Sequence, residues 1–271
     1  MAQTQTLEFQ KKPKALLALI DSWIMIKRSS THIVRNTDQL LGAFFQPIMF
    51  LVLFAAVFGG AVKGSLPPGV KYLDFLMAGI IVQTVAFGST TTAVAICNDL
   101  QKGIVDRFRS LPMANVAVLN GHIISDLLRN SISTTVMLIT GLVIGFRSHA
   151  GLGSWLMIVG ILLLFTFAFS WLMAIMGVLA KSIEAVQWLT FVIIFPLTFA
   201  SSTFVPASSM PRYLRAFAEN QPISQVVEAV RALMLGRPLG NHGWLAAAWC
   251  VGILLVSIPL ASFIFRRKAA S

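Results

Sequence analysis

The sequence predicts an all-α polytopic membrane protein with six transmembrane helices. Three observations predict it: too few charges for a water-facing surface, six apolar runs of spanning length, and a lopsided placement of lysine and arginine. Apolar residues make up 56% of the chain and charged residues 11%, whereas a soluble globular chain is about one quarter charged. The aromatic residues include 20 Phe against 2 Tyr, so most carry no polar handle. Helices built from such stretches have no polar face to turn toward water, and lipid is their solvent.

A helix needs about 20 apolar residues, at about 1.5 Å each, to cross the hydrocarbon core. Runs of that length lie at 40–62, 73–96, 121–146, 154–180, 186–205 and 244–265. The third is the most polar, because Asp126 and Arg129 fall inside it. Between the first two, KGSLPPGVKY has two prolines and two glycines and is a turn. Residues 15–20 are too short for a signal-peptide core, so the first apolar run is expected to act as an uncleaved signal-anchor.

Orientation follows from the cations. With both termini in the cytoplasm, that side receives Lys11, Lys12, Lys14, Lys27, Arg28, Arg35, Lys102, Arg107, Arg109, the inner-half Arg129, Lys181, Arg266, Arg267 and Lys268, fourteen of the 21 lysines and arginines. Tyr72, Trp155 and Trp244 then anchor outer ends, and Trp23 and Trp188 inner ones. A cell-membrane location, bacterial inner or plasma membrane, is expected. The net charge of +11 does not mark a nucleic-acid binder, because the cations sit in short connections and tails rather than on one polar domain. Membrane lipids with anionic headgroups are the partners such flanks suit.

Three segments are not spans. In residues 13–36, Leu16, Leu17, Leu19, Ile20, Trp23, Ile24 and Ile26 recur near helical spacing among Lys14, Asp21, Lys27 and Arg28, which predicts an amphipathic helix on the inner membrane surface. The inner loop at about 98–115, NDLQKGIVDRFRSLPMAN, mixes Asp99, Lys102, Asp106, Arg107 and Arg109 with apolar Leu100, Ile104, Val105, Phe108 and Leu111. Nothing within the membrane would cover those apolar side chains, so a short helix there is a docking surface for another protein; Pro112 marks its stop. The outer segment at about 206–243 carries two short apolar stripes, one at Met210, Leu214 and Phe217 and one from Ile223 to Met234, closed by Gly236. It reads as two amphipathic helices re-entering the outer leaflet and packing on the ends of spans five and six. The domains are therefore a tail and interfacial helix at 1–38, one transmembrane domain at 39–265, and a tail at 266–271.

Within the membrane, Asp126 and Arg129 lie three apart on one helical face. Ionisable residues at membrane depth are functional candidates, but this pair neutralises itself, which favours a structural ion pair. Phe191, Phe195, Thr198, Phe199 and Thr203 give span five an apolar face with hydroxyls beside Pro196, and Gln83, Thr84, Phe87 and Thr91 do the same for span two. Such a face suits a hydrophobic or amphipathic cargo. Phe and Thr also pack ordinary helix interfaces, and for each residue alone that alternative stands equally.

The run Gly103, Asp106-Arg107, Arg109-Ser110-Leu111-Pro112, followed by Gly121 and Asp126-Leu127-Leu128-Arg129, resembles the membrane subunits of ABC-2-type exporters, the daunorubicin-resistance-type permeases above all. A second match is Gln221-Pro222-Ile223-Ser224 leading to Glu228-Ala229-Val230-Arg231-Ala232-Leu233 and Gly236, and a third is Phe45-Gln46-Pro47. The family's acidic-plus-basic pair opening the inner loop is represented here by Asn98-Asp99, a partial departure. The resemblance implies an architecture like type V ABC exporters. It implies a second copy or paralogue of this chain and two copies of a separate ATP-binding cassette subunit. The inner loop becomes a coupling helix, with Asp99, Lys102, Gly103, Asp106, Arg107, Phe108, Arg109, Leu111 and Pro112 as its contact surface, and the N-terminal amphipathic helix becomes a connecting helix. The cargo would be a drug, lipid or glycoconjugate moved by alternating access.

The chain contains no G-x-x-x-x-G-K-[ST] phosphate loop. It is therefore expected to be no enzyme and to bind no cofactor directly, with ATP and Mg entering through the partner. Cys97, Cys250 and the histidines at 32, 122, 149 and 242 have no metal spacing. Two alternatives stay open. An intramembrane lipid-modifying enzyme would need convergent catalytic groups, and no H-E-x-x-H or G-x-S-x-G is present. An ATP-independent secondary carrier would need inverted repeats and midplane charges, which are not evident.

Overall fold

The computed structural model describes residues 37–60, 62–66, 69–103 and 115–270. Among them the regular structure is helical throughout: α1 (Thr37–Phe58), α2 (Tyr72–Gly88), α3 (Thr90–Gln101), α4 (Asn115–Ile144), α5 (Leu152–Leu179), α6 (Ile183–Phe199), α7 (Arg212–Asn220), α8 (Pro222–Met234) and α9 (His242–Ala270), with 3-10 turns at Lys63–Ser65 and Ala207–Ser209. The interfacial helix expected at 13–36 lies outside the described residues.

Four helical stretches are long and apolar enough to cross a bilayer: Tyr72–Gln101, Leu119–Ile144, Leu152–Leu179 and His242–Lys268. Phe45–Phe58 and Ile183–Phe199 are apolar but shorter. Two boundaries need correction. The fifth apolar run continues to Val205, but the helix stops at Phe199; Pro196 removes one backbone donor from its last turn, and Ser201, Ser202, Thr203 and Phe204 form a buried turn instead. Residues 98–101, expected in the inner loop, complete α3.

Lipid is as apolar as leucine, so helices in a membrane associate through close packing and hydrogen bonds rather than through exclusion of water. The close contacts lie at small residues. A Cβ on Gly79 would fall 2.2 Å from the Thr203 carbonyl oxygen, so the buried turn rests directly on the α2 backbone. A Cβ on Gly177 of α5 would fall 2.4 Å from Ala93 O of α3. These approaches make α2, α3 and α5 the centre of the bundle: Phe75 to Ala86 of α2 is a continuous buried run, as a helix surrounded by others must be. By contrast α4 and α9 each leave an apolar face open, with Leu128, Ile132, Ile139 and Val143 on one and Leu255, Val256 and Phe263 on the other.

α2 and α3 meet at Ser89. The Ser89 hydroxyl bonds Val85 O at 3.0 Å and the Thr91 hydroxyl bonds Gly88 O at 3.0 Å, side-chain bonds that compete with the helix ladder and interrupt it. The outer segment divides in two. α7 is almost wholly exposed, burying only Ala218, and carries a surface Arg215–Glu219 ion pair at 2.6 Å. α8 is a core helix, started by Pro222 under a Gln221 cap and ended by Gly236 at φ +64°. It packs on α2, α5 and α9, while Gln221 bonds Leu197 O of α6 and Ser224 accepts from the Ser202 N–H in the turn beyond it. The expected packing on span six is present, and α2 and α5 are added to it, because α8 is buried on several sides, with Ser224, Gln225 and Arg231 enclosed among its apolar residues.

Candidate functional site

The loop that joins α3 to α4 starts from a tightly held base. α3 ends at Gln101, and the Lys102 N–H still bonds Asn98 O at 3.0 Å. Gly103 takes φ +63° and donates its N–H to Leu100 O at 3.2 Å, a left-handed stop that glycine adopts without a Cβ penalty. Lys102 is exposed, while Asp99 is buried, with Oδ2 3.0 Å from Nε2 of His122 on α4. Gln101 Nε2 donates to Lys181 O, in the turn before α6, at 2.9 Å. Asp106, Arg107, Phe108, Arg109, Leu111 and Pro112 lie outside the described residues.

A polar knot occupies the break between α2 and α3. Arg129 ion-pairs with Asp126 one turn away and donates to Gly88 O at 2.5 Å. The Ser170 hydroxyl of α5 donates to the other Asp126 oxygen at 2.5 Å, and Thr91 reaches the first at 3.4 Å. Asn130 closes on Gly88, where a Cβ would meet its Oδ1 at 2.0 Å. Asp126 and Arg129 therefore brace three helices, and the carboxylate has partners at both oxygens, as a buried charge requires. Sequence alone supplies the pair; Ser170 and Gly88 become partners only through the fold.

The residues proposed for a cargo face separate into two sets. Phe191 and Phe195 are exposed on α6, at 45% and 39%. Phe87 and Phe199 are half-buried, whereas Gln83 and Thr198 are buried within the bundle with Oε1 and Oγ1 unpartnered. Thr203 sits in the buried turn rather than on the helix, its hydroxyl accepting from Ser201 at 2.7 Å. The rings of α6 form a continuous series: Trp188–Phe191 at 6.3 Å between centroids, Phe191–Phe195 at 4.9 Å, and Phe195–Phe199 at 4.2 Å. It continues through Phe204 at 4.9 Å to Phe54 of α1 at 4.3 Å, and on to Phe58 at 5.1 Å. Each stacked pair contributes about 0.5–1.5 kcal/mol beyond its buried area. The α1 members, Phe50, Phe54 and Phe58, recur every fourth residue as Phe191, Phe195 and Phe199 do, and that shared spacing is the signal that could have found them.

Arg231 locks α8 onto α2 and the 201–204 turn. It is buried on α8, with its guanidinium 3.5 Å from the centre of the Phe75 ring, a cation–π contact. Nε donates to Phe75 O at 3.0 Å, one terminal nitrogen to Ser202 O at 2.7 Å, and the other to Glu228 at 2.6 Å. Burial pulls its pKa below the ordinary value and Glu228 beside it pushes it back up; a guanidinium stays charged under both. Tyr72 of α2 donates to Phe204 O at 3.1 Å, and Ser224 of α8 accepts from the Ser202 N–H at 3.1 Å, so the turn that carries Phe204 is held from two helices.

Comparison with known proteins places this geometry in a family. Residues 21–235 match the ABC-2 type transporter model. The chain is 33% identical over 235 residues to the daunorubicin resistance ABC transporter permease protein DrrB1 of Streptomyces coeruleorubidus, covering 86% of this chain and 81% of that one. It is 26% identical over 249 residues, 91% of this chain and 89% of the other, to the probable doxorubicin resistance ABC transporter permease protein DrrC of Mycobacterium tuberculosis. A putative transport permease, ycf38, from Porphyra purpurea is 26% identical over 76% of this chain and 71% of its own. With four long apolar helices among the described residues and a family match over most of its length, this chain is a multi-pass membrane protein of the ABC-2 type transporter family.

Proposed function

We propose that this chain is the membrane subunit of an ATP-driven exporter that moves a hydrophobic or amphipathic compound out of the cytoplasm or inner leaflet by alternating access. α1 and α6 complete six spans with the four longer stretches, and both termini are cytoplasmic. Two copies, or one copy and a paralogue, form the path, and two ATP-binding subunits dock from the cytoplasm on the inner loop. Lys102, Gly103, Asp106, Arg107, Phe108, Arg109, Leu111 and Pro112 make that contact, and Asp99 stands buried at its base. Magnesium and ATP are held by those partners.

The observation that carries the cargo class is the ring series from Trp188 to Phe58. Its α6 flank is exposed, it follows the long axis of a membrane helix, and it contains few hydrogen-bonding groups. Flat aromatic compounds slide along such a surface by exchanging one stacking contact for another, without ever stripping a charge of water. The relatives whose names refer to daunorubicin and doxorubicin resistance support a drug of that kind here.

Affinity capture of the tagged full chain from native membranes tests the assignment. A separate nucleotide-hydrolysing chain should come down with it at equal stoichiometry, and charge reversal at Asp106 or Arg107 should weaken that retention while the protein stays in the membrane. A chain captured alone under conditions that preserve membrane complexes would refute it.

A further inference from the structure

The inner loop leaves the membrane from α3 and returns into α4, and a force applied to it moves the bundle only if those two helices are tied together at its base. Among the described residues Asp99 and His122 bond across these ends at 3.0 Å, with both side chains nearly enclosed at 10% and 13% exposure. It stands three residues before Lys102 and seven after Asn115, so it closes the neck of the loop. Two residues on from Asp99, Gln101 bonds the backbone of Lys181, two residues before α6 begins. Lys268 Nζ, from the end of α9, holds the same turn through Val178 O at 2.5 Å and Ala180 O at 3.1 Å. Beneath these bonds, Gly177 and Ala93 bring the α5 and α3 backbones into direct contact.

We infer that Asp99 and His122 form a positioning pair that makes the neck of the inner loop rigid, so that displacement of the loop is passed through α3 and Gln101 to the start of α6. This rests on the docking of an ATPase at that loop. The route is short: loop, Asp99–His122 neck, Gln101, Lys181, and then the helix that carries Trp188, Phe191 and Phe195. A loop tethered at only one end would swing about α3 and spend its motion in the loop itself. Neither residue touches cargo or nucleotide; both act through the helices they hold. The buried carboxylate gives the pair its geometric selectivity, because loss of either member leaves the other enclosed without this partner.

The test uses the full chain reconstituted in vesicles with its ATP-binding partner, with a spin label on Val192→Cys; the native thiols are buried, and the protein without Val192→Cys supplies the background. The spectrum is compared without nucleotide and with ATP plus vanadate. The spin-labelled protein, otherwise unaltered, should show a nucleotide-dependent change. Asp99→Ala and His122→Ala should each reduce it about fivefold or more, the double variant should reduce it no further, and the exchange of Asp99→His with His122→Asp should restore it. An undiminished change in both single variants, or losses that multiply in the double, overturns the inference. Should the single variants fail to accumulate, the exchange variant decides: a full change supports the pair and its absence overturns it. ATPase retention, measured in the same vesicles, separates the two levels. Lost response with retained ATPase points to the neck, whereas an absent response in the otherwise unaltered protein overturns the docking scheme and the pair with it.

Discussion

Replacing Arg231 with methionine keeps most of the side-chain volume and removes all of its polar contacts. In the folded protein Ser202 O then loses its 2.7 Å donor, Phe75 O loses a second donor beyond the helix ladder, and the Phe75 ring loses its cation. A buried acceptor left without a partner costs about 1–3 kcal/mol, and the lost cation–π contact adds roughly 1–2 kcal/mol. Glu228 is partly exposed, at 31% of its side chain, so its loss of Arg231 is largely offset by water. The total comes to about 3 kcal/mol. Arg231→Lys keeps the charge but cannot reach Phe75 O, Ser202 O and Glu228 together, and should cost about half as much. Glu228→Gln should cost about 1 kcal/mol or less. The assay is equilibrium unfolding of the purified chain in mixed micelles titrated with denaturing detergent. An Arg231→Met protein within about 0.5 kcal/mol of the parent, a change ordinary for a surface position, would refute the view that Arg231 holds α8 and the 201–204 turn onto α2.

Further outcomes follow from the same geometry. Gly79→Ala should destabilise by about 1–3 kcal/mol, because its Cβ has no room against the Thr203 backbone, whereas Gly160→Ala, which meets nothing within 4 Å, should be neutral or stabilise by up to about 1 kcal/mol; thermal unfolding in detergent compares them. Asp126→Leu alone should cost about 3–5 kcal/mol by leaving Arg129 enclosed and unpaired, and adding Arg129→Leu should recover much of it, a coupling that a double-mutant cycle measures. Phe195→Ala and Phe199→Ala should lower doxorubicin efflux from cells that also express the ATPase, while Phe195→Tyr, which keeps the ring, should retain most of it.

Much of this molecule could be read from composition and spacing because a bilayer imposes simple demands. Each apolar run had to become a helix, since no other open structure satisfies the backbone in lipid. The Asp126–Arg129 pair was readable from its three-residue spacing, and Gly236 from the need for a left-handed stop, whereas the stop at Gly103 was not. Residues 200–205 carry no charge, so the fifth run reads past Phe199, whereas their backbone is held in a turn by Gln221, Ser224 and Arg231 from another helix. Thr203 moved from the helix to the turn for that reason. Glu228 and Arg231 stand at helical spacing in the sequence, and only packing against Phe75 buries the cation. Pairings such as Asp99 with His122 join positions whose separation encodes nothing, and folding alone brings them within reach.

The central claim is that this chain moves cargo only when a separate ATPase drives it. Reconstituting the purified chain in sealed vesicles, with and without the ATP-binding partner, and following doxorubicin accumulation by fluorescence tests that claim most directly. ATP-dependent accumulation should require both proteins and vanish when either is omitted. Sustained uphill accumulation by the chain alone, with no nucleotide hydrolysed, would contradict the account.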